Sequence, residues 1–392
     1  MATAASIDPV TLDLIENALK NARFEMDEVV RRAAMSPTIR EQHDEFPMIA
    51  NDRGEMVVGQ FGSNIPAVIR SFGAEARVVD ICNRFGRDTY MAACDALLER
   101  TRQGMIKLVH KYIPEEKVTF WDWVDDDGLG NGPFKLQLTI HREGDVAVFD
   151  WTGTDPQAPG SINFHIHESL CKLFFGVYLI MAFDPTILFN EGYNSVFKVI
   201  LPEGSLLNPK FPAALSNRLN VHTRFFDCQS GALGQKAPEL SMAAGYGTSP
   251  YFVYHGEDEN GDYFQMVELL FGGLPGRPVG DGLDGHSWWP LFRTTPAEYM
   301  ESYYPVVVER YEPVMDTGGA GLHRGGCGIE KQYLFLRPGA FTVNDDRAVL
   351  DPWGSAVARA AAVAARCWCA PTARARSCRR RSTTCRYRPA TG

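Results

Sequence analysis

The stretch Thr295–Glu330, TPAEYMESYYPVVVERYEPVMDTGGAGLHRGGCGIE, decides how the chain is read. Thr295 ahead of Pro296 gives an N-cap and a first helical residue, opening a short helix through about Tyr303. Pro305–Tyr311 is β-branched and aromatic, the composition of a strand. In Asp316–Gly328, seven of thirteen residues are small and six are glycine. Glycine at that density serves positive φ angles, or the close approach of another backbone or a ligand. Two readings stay open. One is a tight surface connection between strands; the other is a loop whose backbone N–H groups, with Arg324, hold an anion or a carbonyl oxygen. The pattern is not the GxxxxGK[ST] phosphate loop, and it opens no obvious helix.

Upstream, Asp8-Pro9 starts a long amphipathic helix, with apolar residues from Leu12 to Ala33 at spacings of three and four, ending before Pro37. A hairpin follows at Met48–Val58, turning at Asn51–Gly54. Glu41, His43 and Asp44 precede it and fit either metal or acid–base chemistry, or a solvated approach to a strand. Residues 74–110 read as helical. Phe120–Trp123, Phe134–Ile140 and Val146–Asp150 alternate as an antiparallel meander, with a Gly/Asp-rich turn at Asp125–Gly132. A helix is expected from about His167 to Ala182. His165 and His167 share one side of the extended segment before it, without a local third ligand. Ala214–Ala232 carries Asn217, Arg218, Asn220, His222, Thr223 and Arg224, either a capped helix start or a substrate-binding edge. Residues 241–285 read as glycine-studded strands.

With 392 residues, 45% hydrophobic and 22% charged, the composition is that of a globular protein with ample core. The longest apolar run, Leu173–Phe183, is too short for a membrane span. The N-terminus lacks a basic region followed by an apolar one, so the expected location is the cytoplasm. The net charge of −9 hides an asymmetry: residues 354–392 carry nine Arg and no acid, and subtracting that +9 leaves −18 for residues 1–353. An acidic body argues against nucleic-acid binding. Four of the nine cysteines crowd into the tail, and those in the body show no CxxC spacing.

Several stretches together resemble the hydantoinase B/oxoprolinase family. They are Asp8-Pro9-Val10; Glu41…Asp44; Val58-Gly59-Gln60; Phe149-Asp150 with Thr152–Gln157 and Asn163; Pro202–Pro209; Gly280-Asp281-Gly282; and above all the run from Thr295 to Gly328. The resemblance implies an α+β fold of mixed, antiparallel glycine-rich sheets with several long helices. It implies one subunit of an ATP-dependent enzyme that opens a cyclic amide, or alternatively carboxylates a ketone such as acetone or acetophenone. A hydantoinase A-like partner would bind the ATP. Glu41, Asp44 and Asp316 are then the candidate catalytic residues, and Asn163, Asn217, Arg224 and Arg324 the candidate substrate-binding ones.

Two departures stand against the resemblance. After Gly73 the family carries a segment of His and Asp motifs resembling metal ligands. Here Ser71-Phe72-Gly73 runs straight into Ala74-Glu75 and a helix. A divalent metal is thus expected of the family, but no ligand for it is found in this chain. From Gly354 the sequence becomes an Ala/Arg/Cys mixture that looks like DNA translated in a shifted frame, and it is expected to be a disordered basic tail. Residues 1–353 form the family-like region, shortened near residues 73–75, and 354–392 the tail. An inactive, shortened family member is the reading these departures favour.

Overall fold

A computed structural model describes residues 7–33, 48–53, 55–59, 74–238, 241–248, 250–288 and 293–354, with the strand residues 367–368, 376–377 and 385–387. In chain order the elements are α1 (Pro9–Ala33), β1 (Ile49–Ala50), β2 (Met56–Val58), α2 (Ala74–Phe85), α3 (Arg87–Tyr112), β3 (Val118–Val124), β4 (Phe134–Glu143) and β5 (Val146–Asp150). Next come α4 (Glu168–Phe183), a 3₁₀ turn (Glu191–Val196), β6 (Phe197–Ile200), α5 (Leu219–Gly234), β7 (Tyr251–Glu257), β8 (Tyr263–Leu269) and α6 (Ala297–Tyr303). Then follow β9 (Val306–Pro313), β10 (Ile329–Phe335), β11 (Gly339–Asn344) and the short β12 (Cys367–Trp368), β13 (Arg376–Ser377) and β14 (Cys385–Tyr387). The fold is α+β, as expected. The contacts divide it into two compact units. The first takes Met1–Lys117, Ile140–Phe149 and His167–Ile200; the second takes Val118–Thr139, Asp150–Ile166 and Leu201–Gly392.

In the first unit Asp8 caps α1, accepting from the Thr11 N–H at 2.9 Å and from its hydroxyl at 3.1 Å. The apolar stripe of α1 is buried over its first half, where Ile15, Leu19 and Ala22 join Val57 and Val58 of β2, Ile81 of α2 and Tyr90, Ala93 and Leu97 of α3 in one core, while Val29 and Val30 further along are exposed. Full burial of a side chain of Leu or Ile size stabilises by about 1.5–3 kcal/mol, which is what holds so long a helix in place. The expected helix over 74–110 is two helices, broken at Gly86 with φ 89°. The hairpin β1–β2 is antiparallel. His167 caps α4, its Nδ1 accepting from the Ser169 N–H at 3.2 Å.

In the second unit α5 is buried almost all round and lies on β3. Gly231 of α5 makes this possible, because a Cβ there would run into the Phe120 ring. Leu136 and Leu138, one residue apart on β4, are both fully buried, the alternation read from sequence. A four-stranded sheet has the order β14-β11-β7-β8, and β9 and β10 pair as a separate antiparallel hairpin. Phe252, Tyr254, Met266, Met300, Val306 and Phe341 form the core that joins hairpin, α6 and sheet. α6 begins at Ala297, two residues after Thr295, with no side-chain cap.

Among the described residues of 241–285 the only strands are β7 and β8. Beyond Leu269 the backbone makes isolated bridges, Gly272 with His286 and Arg277 with Gly280. Its glycines serve interlocking loops rather than strands. Of the tail, the described residues are β12, β13 and β14, and β14 pairs with β11; the rest of the tail lies outside the described residues.

Candidate functional site

Residues of the turn Asp125–Pro133, with Val349 and Leu350, wall a cavity of about 310 Å³ in the second unit. Both walls are fixed by carboxylates. Asp125 accepts hydrogen bonds from three successive backbone N–H groups, Ala348 at 2.7 Å, Val349 at 3.0 Å and Leu350 at 3.0 Å. Asp127 accepts from the N–H of Leu129 at 2.9 Å and of Gly160 at 3.0 Å, and from the Asn131 side chain at 2.8 Å. Burial raises the Asp127 pKa, but these bonds outweigh it and hold the carboxyl below its ordinary value. Gly132, with φ 136°, closes the turn where a Cβ would meet the Asp125 carbonyl. Asp126 accepts from the Gly128 N–H at 2.7 Å.

Behind this wall lies a buried cluster of five charges. Arg224 pairs with Asp227 and with Asp346 at 3.0 Å; Arg347 pairs with Asp122 and with Asp227 at 3.0 Å. The side chains of Arg224, Asp227 and Asp346 are at most 1% exposed, and those of Arg347 and Asp122 at most 5%. The Trp353 indole donates to Asp122 at 3.1 Å, and Arg224 donates to the Gly247 carbonyl. Burial disfavours the Arg224 cation, yet Asp227 and Asp346 more than compensate and raise its pKa; burial pushes that of Asp227 up against the pull of Arg224 and Arg347. Charges so placed are costly to desolvate and hold only because each has a partner. The cluster fixes Arg347 at φ 55°, a left-handed conformation rare for a side chain of its size. That turn carries Val349 and Leu350 to the cavity.

The residues named from sequence fall in different places. Glu41 and Asp44 lie outside the described residues. Asp316 is exposed, at φ 60°, at the start of the glycine-rich loop. Asn163 is fully buried; its amide N–H donates to the carbonyls of Ala158, Gly160 and Ala214 at 2.9–3.1 Å, and its carbonyl accepts from the Ala158 N–H at 2.8 Å. Asn217 donates to Asn344 at 2.8 Å and accepts from the Tyr251 hydroxyl. Arg224 belongs to the buried cluster. Asn163, through Gly160 and Asp127, and Arg224, through Asp346 and Asp125, both brace the cavity loops.

Arg324 makes a two-pronged bond to Asp284, at 2.8 and 3.1 Å, while the Cys327 N–H donates to the same carboxylate at 2.6 Å. The Arg324 guanidinium and this N–H hold the Asp284 carboxyl far below the usual carboxylate range. The loop does cradle an anion, and that anion is the chain's own Asp284. Its glycine density follows from backbone packing: a Cβ on Gly326 would overlap the Leu283 carbonyl, and one on Gly282 the Leu274 carbonyl.

The model of the family described as hydantoinase B/oxoprolinase matches residues 8–76 and 71–388. The chain belongs to the hydantoinase B/oxoprolinase family. A family member of Pseudomonas sp. (strain NS671), provisionally named as the B component of a D-/L-hydantoinase, is 30% identical over 310 residues, covering 76% of this chain and 51% of that one. The beta chain of the caprolactamase of Pseudomonas jessenii is 27% identical over 266 residues, covering 65% of this chain and 44% of that one. The chain thus spans about half the length of these curated relatives. The crystal structure of the ATP-dependent caprolactamase from Pseudomonas jessenii shares the fold at a TM-score of 0.77 and 18% identity, covering 98% of this chain and 89% of that one. The nucleotide-free acetone carboxylase structure shares it at 0.71 and 13% identity, covering 89% and 66%.

Among the described residues no three His, Cys, Asp or Glu side chains are grouped to hold a metal ion. Asp125 and Asp127 are occupied by backbone N–H groups, and the carboxylates of the cluster by guanidinium groups. No helix of the described residues is long and apolar enough to cross a membrane. The sequence reading passed over Asp122, Asp125–Asp127, Asp346 and Arg347. The signal for Asp122 and Asp125–Asp127 was the run Trp121–Gly132, WDWVDDDGLGNG, with four aspartates among twelve residues, which reads by itself as a polar turn.

Proposed function

We propose that this chain is the B-type component of an ATP-dependent cyclic-amide hydrolase, acting with a hydantoinase A-like partner that binds ATP. The observation carrying this is the family match across both units, together with relatives named as a hydantoinase B component, a 5-oxoprolinase and a caprolactamase beta chain. An amide carbonyl is a poor electrophile. The partner spends ATP to activate it, and the B-type component holds the charged intermediate and completes ring opening away from water. Glu41, Asp44 and Asp316 are proposed as the acid–base carboxylates. Asn217 and Arg324 are proposed on the substrate side, with Asn163 and Arg224 acting through the loops they brace. The family's divalent metal finds no donor set among the described residues, so no step is routed through it here.

Two further readings have their own support. The fold likeness to acetone carboxylase favours ketone carboxylation. The break of the family match at residues 71–76 favours an inactive, internally shortened member.

The test combines the purified chain with an A-type partner and ATP. N-Methylhydantoin, 5-oxoproline and caprolactam are assayed in parallel with acetone plus bicarbonate. ATP-dependent ring opening is the expected result. Acetone carboxylation without ring opening moves the assignment to the second reading. A partner-bound chain that turns over none of the four belongs to the third.

A further inference from the structure

We propose that the cavity beside Asp126 is a binding site for a small primary alkylammonium group. The carboxylates around it divide by how they are used. Asp125 is taken by three backbone N–H groups and Asp127 by those of Leu129, Asn131 and Gly160. Asp126 gives one oxygen to the Gly128 N–H, and its other oxygen has no hydrogen-bond partner among the described residues. Asp126 lines the cavity, with Pro133, Val349 and Leu350 as apolar wall.

That combination selects among cations. Calcium needs six to eight oxygen ligands and magnesium about six, and neither set is present here. A guanidinium group is best met by two carboxylate oxygens side by side. An ammonium is satisfied by one charged oxygen with carbonyls or water for its remaining N–H groups, and its alkyl stem covers the apolar wall. About 310 Å³ lies at the small end of ligand-pocket volumes and leaves room for a stem of about four carbons. The walls are set before a ligand arrives, by the Asp125 bonds and by the buried cluster that fixes Arg347, so little ordering cost falls on binding.

This inference deepens the cyclic-amide reading and takes its biological meaning from the lactam substrates within it, because opening a lactam ring frees an amine that is protonated at neutral pH, whereas opening a hydantoin leaves a neutral ureido group. Binding itself needs neither ATP nor partner. The experiment uses the full chain with methyl-labelled Val and Leu, titrated with n-butylammonium, n-butanol and butyrate. The methyl signals of Val349 and Leu350 are expected to shift with n-butylammonium, at least tenfold more weakly with n-butanol, and not with butyrate. Asp126→Asn lowers n-butylammonium affinity at least tenfold, whereas Asp145→Asn on an exposed turn leaves it unchanged. Should Asp126→Asn fail to fold, Val349→Lys at a largely exposed position decides, since its own ammonium competes for Asp126 and binding is lost. No shift with n-butylammonium, equal binding of n-butanol, or affinity retained in folded Asp126→Asn or Val349→Lys overturns the proposal. A chain that binds n-butylammonium here but opens no ring keeps this site and loses the proposed function; ring opening without such binding does the reverse.

Discussion

His222 lies between the rings of Phe164 and Phe226, with centroids 4.5 and 5.2 Å away. Burial, aided by the charge of Arg218, pushes its pKa down from 6.5 to about 3. The unfolded chain therefore binds a proton below pH 6.5 that the folded chain refuses, so stability falls as the pH drops from about 6.5 towards 3. The loss should reach several kcal/mol by the lower limit, at about 1.4 kcal/mol per pH unit. His222→Phe should flatten that part of the profile in denaturant unfolding run across pH. Arg347 supplies a second test. Truncating it to Ala leaves Asp122 in the interior without a cation and Asp227 with Arg224 alone, and should cost about 3–5 kcal/mol of unfolding free energy. Neither role was legible beforehand. A helix start rich in polar residues looks alike whether it faces water or a buried carboxylate, and Arg347 lies 120 residues or more from Asp227 and Asp122.

At the scale of elements the sequence spoke more clearly. The 3.6-residue stripe over the first half of α1 and the alternation in β4 each record burial on one face, which is a local property, whereas of the β-branched run of β9 only Val306 is buried. The docking of one element on another is not local. The hairpin β9–β10 meets β8 through Lys331, which pairs with Glu268, while the Tyr333 hydroxyl reaches the same carboxylate. The two charged side chains are only 4% and 1% exposed. Burial raises the Glu268 pKa against the pull of Lys331. Lys331→Ala should destabilise by about 3–5 kcal/mol, because a buried carboxylate loses its cation. Replacing Lys331 and Glu268 together by Met should recover most of that loss, since neither charge is then left alone. Thermal or denaturant unfolding of the three variants would show the non-additivity; equal losses in single and double variants would assign the effect to packing instead.

For the molecule as a whole, the family match in two stretches meeting at residues 71–76 coincides with the junction where sequence reading expected a further segment. Sequence could find that junction because it compares against what a family carries, whereas the cavity and the charge cluster arise only when distant loops meet. Restoring a family segment at this junction should raise bound divalent metal per chain from near zero towards one, measured by elemental analysis; no uptake would place the family's metal outside that segment. The interlocked glycine loops have a consequence of another kind. Gly282, Gly285 and Gly326 donate to the carbonyls of Arg324, Cys327 and Leu274 at 2.7–3.0 Å, with no layer of side chains between the strands of backbone. Opening one loop requires withdrawing the other. Their amide hydrogens, close to the surface though they are, should exchange with deuterium as slowly as those of the central strands β7 and β11, and all at one common rate.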